Sequence, residues 1–222
     1  MIDDQHEGPV EVKIPADTVF LEGTLAVPKG ASGVVVFAHG SGSSRHSPRN
    51  NYVASVLRTE GIGTLLFDLL TESEDEVYER RFDIDLLTRR LVAVTEWLST
   101  MSGVEGKKIG YFGSSTGAAA ALRAAAILGP AISAVVSRGG RPDMASSVLS
   151  SVKSPTLLIV GGLDYTVLFL NRQAYAGLRG EKDLAIISGA SHLFEEPGKI
   201  EEVAQRAAQW FKRYLGAAAK LK

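Results

Sequence analysis

The chain has no cysteine. That absence removes disulfides, thiolate metal sites and cysteine nucleophiles together, so any covalent catalyst must be another residue. Nor is there an excess of one charge. With 24 basic and 25 acidic residues the formal net charge is −1, and no overall field recruits nucleic acid or an anionic membrane. No apolar run approaches the ~20 residues needed to cross a bilayer, and the start lacks the charged-then-apolar pattern of a signal peptide. The expectation is a cytoplasmic protein, a monomer or homodimer, that takes neither nucleic acid nor membrane as a partner. Internal repeats, low-complexity blocks and long Pro/Gly/Ser linkers are also missing, so residues 1–222 read as one domain. Histidine is scarce. His6, His39, His46 and His192 are the only imidazoles available for proton transfer.

What is present is a series of short apolar runs. "EVKIP" and "VFLEGTLAVP" alternate in part, as a hairpin at a sheet edge does. After them come "GVVVFAHG" (33–40), "IGTLLFD" (62–68), "KIGYFG" (108–113), "ISAVVSRG" (132–139), "PTLLIVGG" (155–162) and "LAIISG" (184–189), each too short for a buried helix and rich in β-branched residues. These read as strands buried on both faces. Helical patterns lie between them. Ile84, Leu87, Leu91, Val94 and Leu98 recur at steps of three and four, as do Ile200, Val203, Ala207, Trp210 and Tyr214. Alternating strand and helix predicts an α/β fold: a mostly parallel, doubly wound sheet with helices on both faces and antiparallel strands at its N-terminal edge. No inserted cap of tens of residues interrupts it. The charged stretch "TESEDEVYERR" (71–81) reads as a solvated loop or first helical turn, with a flap over a cleft as the alternative, and the terminal "GAAAKLK" as a frayed helix end.

In open parallel sheets, ligands bind beyond the carboxyl ends of the strands. The junction "KIGYFG-SSTG-AAAAL" lies at such an end and offers two adjacent serines. A turn sharp enough to expose a hydroxyl needs minimal residues two before and two after it. Ser115 has Gly113 and Gly117 in those places, whereas Ser114 would have Phe112 and Thr116. Ser115 is the candidate nucleophile and Ser114 a turn residue. A serine hydroxyl needs a base and a group to orient that base. His192, beyond the last strand, supplies the base; Asp164, after "PTLLIVGG", supplies the acid in preference to Asp143, completing the chain order nucleophile, acid, base. The oxyanion would meet the N–H groups of Thr116 and of Ser41 in "FAHGSGSSRHSPRN", with His39 bracing that loop. Arg138, Arg141, Arg45 and Arg49 cluster at the same edge, either to hold an anionic substrate or to pair with acidic loop residues such as those at 72–79.

On "FAHGSG", "GYFGSSTG", "GGLD" and "GASHLF" the chain resembles the α/β-hydrolase superfamily, and within it the small dienelactone-hydrolase-like group, over about residues 10–215. The resemblance implies an eight-stranded sheet, a Ser115–Asp164–His192 triad, hydrolysis of a small-molecule ester or lactone, and no cofactor or metal. One departure bears on substrate: dienelactone hydrolases proper use a cysteine at the elbow, and this chain has serine there. A carboxylesterase or lactonase chemistry is therefore expected, with thioester or amide cleavage, or a non-catalytic binding module, as alternatives.

Overall fold

The structure, a computed structural model, describes residues 8–216; the helix-end reading of the last residues and His6 lie outside them. Eight strands form one sheet: β1 (Val10–Ala16), β2 (Val19–Ala26), β3 (Gly33–Ala38), β4 (Gly63–Phe67), β5 (Lys108–Ser114), β6 (Ile132–Arg138), β7 (Thr156–Gly161) and β8 (Lys182–Ile187). Their order is β1-β2-β4-β3-β5-β6-β7-β8. β1 pairs with β2 and β2 with β4 in antiparallel fashion, and every pairing from β4 through β3 to β8 is parallel. This is the open, doubly wound α/β sheet that the alternating pattern predicts.

The apolar runs become strands because helices cover both sheet faces. Alternate residues of one strand enter two separate cores: Val34 and Val36 of β3 face one, Val35 and Phe37 the other. The first core is closed by α3 (Ile84–Ser99), α4 (Thr116–Leu128) and α5 (Tyr165–Gly177), the second by α1 (Pro48–Thr59) and α6 (Lys199–Leu215). The stripe Ile84, Leu87, Leu91, Val94 and Leu98 is buried along α3. α4 lies against the sheet centre, and its buried alanines (Ala118 to Ala121, Ala124, Ala125) leave its backbone close to β5.

The run at 184–189 reads as buried on both faces, but β8 is an edge strand: Ala185 and Ile187 are buried in the second core, while on the other face Leu184 is only partly buried against the first core and Ile186 is 40% exposed. A continuous apolar run does not distinguish a central strand from an edge strand that carries one stray apolar residue outward.

Candidate active site

The chain passes from β5 into α4 through Ser115, at φ 50° and ψ −120°. A non-glycine residue there is strained by ~1–3 kcal/mol and persists only where its surroundings fix it. They do: the Ser115 N–H donates to Arg138 O (3.3 Å), and Ser115 O accepts from Ala118 N–H (3.1 Å) and Arg141 N–H (3.0 Å). The flanking glycines are required by contact. A Cβ on Gly113 would lie 2.5 Å from Ala118 Cα, and one on Gly117 would lie 2.2 Å from Ala38 O. Gly40 lets the β3 loop come against Ser115, where an added Cβ would be 2.9 Å from Ser115 Cβ.

Ser114 is the last residue of β5 rather than a turn residue. It is buried, donating to Asn50 Oδ1 (3.2 Å) and accepting from Arg138 Nε (3.3 Å). Asn50 lies on α1, which starts inside the segment read as loop; its start is written in Ser47, whose side chain caps the helix, and Pro48 at its first turn.

Asp164 and His192 meet. Asp164 Oδ2 lies 2.6 Å from His192 Nδ1, while Oδ1 accepts from Val167 N–H (3.4 Å) as the N-cap of α5, so one carboxylate is oriented by a helix end and orients an imidazole. The Gly161-Gly162 pair contributes through space, not through torsional freedom: a Cβ on Gly161 would lie 2.4 Å from Ser191 O and 2.5 Å from Ala190 O. Both glycines have ordinary φ. The rival, Asp143, is held by Arg141 in two bonds of 2.9 and 2.8 Å. A second strained residue anchors the histidine loop. Phe194 has φ 57° with a fully buried ring, and the Arg138 guanidinium sits 5.8 Å from the ring centroid.

His39 links two loops. Its Nδ1–H donates to Gly40 O (2.9 Å) and its Nε2 accepts from Leu69 N–H (3.0 Å). Burial pushes its pKa below the ordinary histidine value, so it stays neutral in this bracing role. Beside it the Ser41 N–H donates to Thr116 Oγ1 (2.9 Å). These residues border a small, open pocket in which Ser41 and Thr116 face Leu69, Leu70 and Leu87, with the Asp75–Arg81 ion pair completing the wall.

The four arginines separate. Arg45 pairs with Asp68, Arg141 with Asp143 and Arg49 with Glu195, so three carry a carboxylate, though none of these partners falls within 72–79. Arg138 is only 8% exposed and has no carboxylate within ion-pair distance among the described residues. Burial, and then the nearby charge of Arg49, push its pKa down to about 10, which leaves it a cation at neutral pH.

Residues 71–81 are more ordered than the loop reading implies. Thr71 and Glu74 form a capping box on α2 (Glu72–Asp75), a 3-10 turn follows at Tyr78–Phe82, and Glu74 binds the buried Arg90 of α3 at 3.0 Å.

Residues 21–217 match the Dienelactone hydrolase family. The chain belongs to that family. As a family member it is an α/β hydrolase, and the solved dienelactone hydrolase from Anabaena variabilis is 53% identical, with a TM-score of 0.91 over 94% of this chain and 99% of that one. An esterase from Pyrococcus furiosus, 21% identical, shares the fold with a TM-score of 0.73 over 94% of each chain. A Mycobacterium tuberculosis protein named, provisionally, as a phosphoribosyl transferase is 55% identical over 205 residues. Those residues are 92% of this dienelactone hydrolase family member but 46% of that protein, so the chain spans about half the length of the curated relatives it matches. No helix among the described residues is long and apolar enough to cross a membrane.

Proposed function

We propose that this dienelactone hydrolase family member is a serine hydrolase that cleaves small carboxylic esters or lactones through an acyl-enzyme. The observation that carries the reading is the Asp164–His192 pair, 2.6 Å apart, at the same sheet edge as a serine held at φ 50°. Strain that the surroundings hold in place is a reason to look for function there, and an imidazole oriented by a carboxylate is what a serine hydroxyl needs. In this reading Ser115 Oγ attacks the carbonyl carbon, its proton passes to His192, and the carbonyl π pair moves onto oxygen. His192 then protonates the leaving oxygen, and water, activated by the same imidazole, releases the acid. Asp164 holds the tautomer with the proton on Nδ1 and stabilises the imidazolium.

The test is intact-protein mass after treatment with a fluorophosphonate, alongside turnover of a short-chain p-nitrophenyl ester. A single adduct is expected in wild type and none in Ser115→Ala, with kcat reduced on the order of 10⁴-fold or more. Folded wild type that takes no adduct and turns over no ester would favour a non-catalytic role.

The unpaired Arg138 supports a narrower proposal for the same site: the preferred substrate carries an anionic group. A buried guanidinium without a counter-ion is costly, and a substrate carboxylate or phosphate would offset that cost. The relative named for phosphoribosyl transfer is compatible with a phosphorylated substrate. Turnover of a neutral ester is compared with that of its carboxylate-bearing analogue, in wild type and Arg138→Gln. Wild type should favour the anion and the variant should lose that preference; equal ratios in both proteins sink the idea.

A further inference from the structure

An oxyanion site needs two preorganised donors, and here the expected second donor is already engaged. The Ser41 N–H points at Thr116 Oγ1, 2.9 Å away, so an oxyanion would have to compete for it. Thr116 itself is the first residue of α4, 2% exposed, and lines the pocket beside Ser41 and Gly40.

A threonine hydroxyl has one proton and two lone pairs. Inside helices that proton goes to the carbonyl four residues back, as in α3, where Thr88 donates to Ile84 O (2.6 Å) and Thr95 to Leu91 O (2.7 Å). Thr116 has no such carbonyl in its own helix, because the residue four back, Phe112, belongs to β5. Its oxygen accepts from the Ser41 amide, and among the described residues no acceptor for its proton lies within hydrogen-bond distance, which leaves that proton free to turn toward a ligand in the pocket. Its own N–H, in the first turn of α4, likewise has no intrahelical acceptor.

We infer that Thr116 supplies both oxyanion donors: its backbone N–H, and its side-chain hydroxyl polarised by the Ser41 N–H. The Ser41 amide acts one bond removed, and a hydroxyl that accepts a hydrogen bond becomes a better donor. As Ser115 Oγ bonds to the carbonyl carbon and the π pair moves onto oxygen, the Thr116 O–H and N–H hydrogen-bond that oxygen without transferring a proton. Glycines at 40 and 42 then have the task of letting the Ser41 amide reach Thr116. This rests on the serine hydrolase reading above.

The experiment compares Thr116→Ala, Thr116→Val and Thr116→Ser with wild type. Readouts are kcat and KM for a short-chain p-nitrophenyl ester, and inhibition by an alkylboronic acid, which forms a tetrahedral adduct on the serine. Thr116→Ala and Thr116→Val are expected to lose about 10²–10³-fold in kcat, the effect of removing one oxyanion donor, with KM little changed. Boronate inhibition should weaken in parallel, and Thr116→Ser should stay within a few-fold of wild type. Thr116→Ala at wild-type kcat and boronate affinity would overturn the inference, because the Ser41 N–H would then be serving the oxyanion directly. A loss confined to Thr116→Val would do the same by showing a steric effect. Loss in Thr116→Ser equal to that in Thr116→Ala, in proteins with wild-type melting temperature, also overturns it. Wild type that neither turns over ester nor binds boronate defeats the hydrolase reading itself, and this one with it.

Discussion

At the residue scale the site depends on missing side chains as much as on present ones. Gly117 has backbone oxygens of Ala38 and His39 at 2.2 and 2.3 Å from where a Cβ would sit, and backbone cannot swing away as a flexible side chain does. Gly117→Ala should therefore cost at least the ~1–3 kcal/mol typical of overpacking and distort Ser115, lowering both melting temperature and ester turnover. Gly8→Ala, where a Cβ meets nothing within 4 Å, should leave turnover unchanged. His39 gives a pH signature. Its folded pKa lies below the ordinary value of about 6.5, so the unfolded chain takes up the proton first as pH falls. Stability from this group is complete above about pH 6.5 and is lost as pH drops toward the folded pKa. Thermal melts between pH 7.5 and 5.5 should show that fall, and His39→Gln, which keeps an acceptor for Leu69 N–H without titrating, should flatten it. The Gly-x-Ser-x-Gly spacing was legible because steric limits act at fixed sequence distance. The Ser41–Thr116 contact was not, because a hydroxyl's partner across 75 residues depends on side-chain rotamer.

At the element scale, strands and helices were legible wherever period and length agreed. Two short features were not. For 71–81 the helical turn stood beside the solvated loop, and the capping box Thr71-x-x-Glu74 that starts α2 would have decided between them, but charge outweighed that signal, since a run of acidic and basic residues reads as solvated. Its stability comes from elsewhere: Arg90, buried in α3, binds Glu74, Asp17 and Ala16 O together. Burial pushes the Glu74 pKa up, but hydrogen bonds from Thr71 and the charge of Arg90 outweigh it and hold the pKa below the ordinary value. Glu74→Ala should cost ~3 kcal/mol, the low end for breaking a buried ion pair, because Arg90 keeps its other two partners. Chemical denaturation would measure that loss. Because Leu69, Leu70, Asp75 and Arg81 share the pocket with Thr116, the same variant should raise KM more than it lowers kcat. The other illegible feature is Asn50, a polar residue on the stripe Asn50, Val53, Ala54, Leu57 of α1. Its presence on a buried stripe signals a polar partner, and Ser114 is that partner.

At the scale of the whole molecule, the edge of the sheet gathers residues that the chain spreads widely: Ser41 after β3, Ser115 after β5, Arg138 at the end of β6, Asp164 after β7 and His192 after β8. A parallel sheet allows this because every strand end on one side faces the same space. It also means no single segment contains the site. β3 lies between β4 and β5, and its register with β5 joins Val34 to Ile109, while β7 and β8 join Gly161 to Ile187. Such pairings must close long loops before any contact stabilises them, which makes folding slow relative to helical proteins of the same size. The centre of the sheet and its helices can form without β8, whereas the imidazole is delivered only when β8 docks on β7. On refolding from denaturant, the far-UV signal should recover first and phosphonate reactivity of Ser115 last, so a nascent or partly folded chain would carry its serine in place but chemically silent.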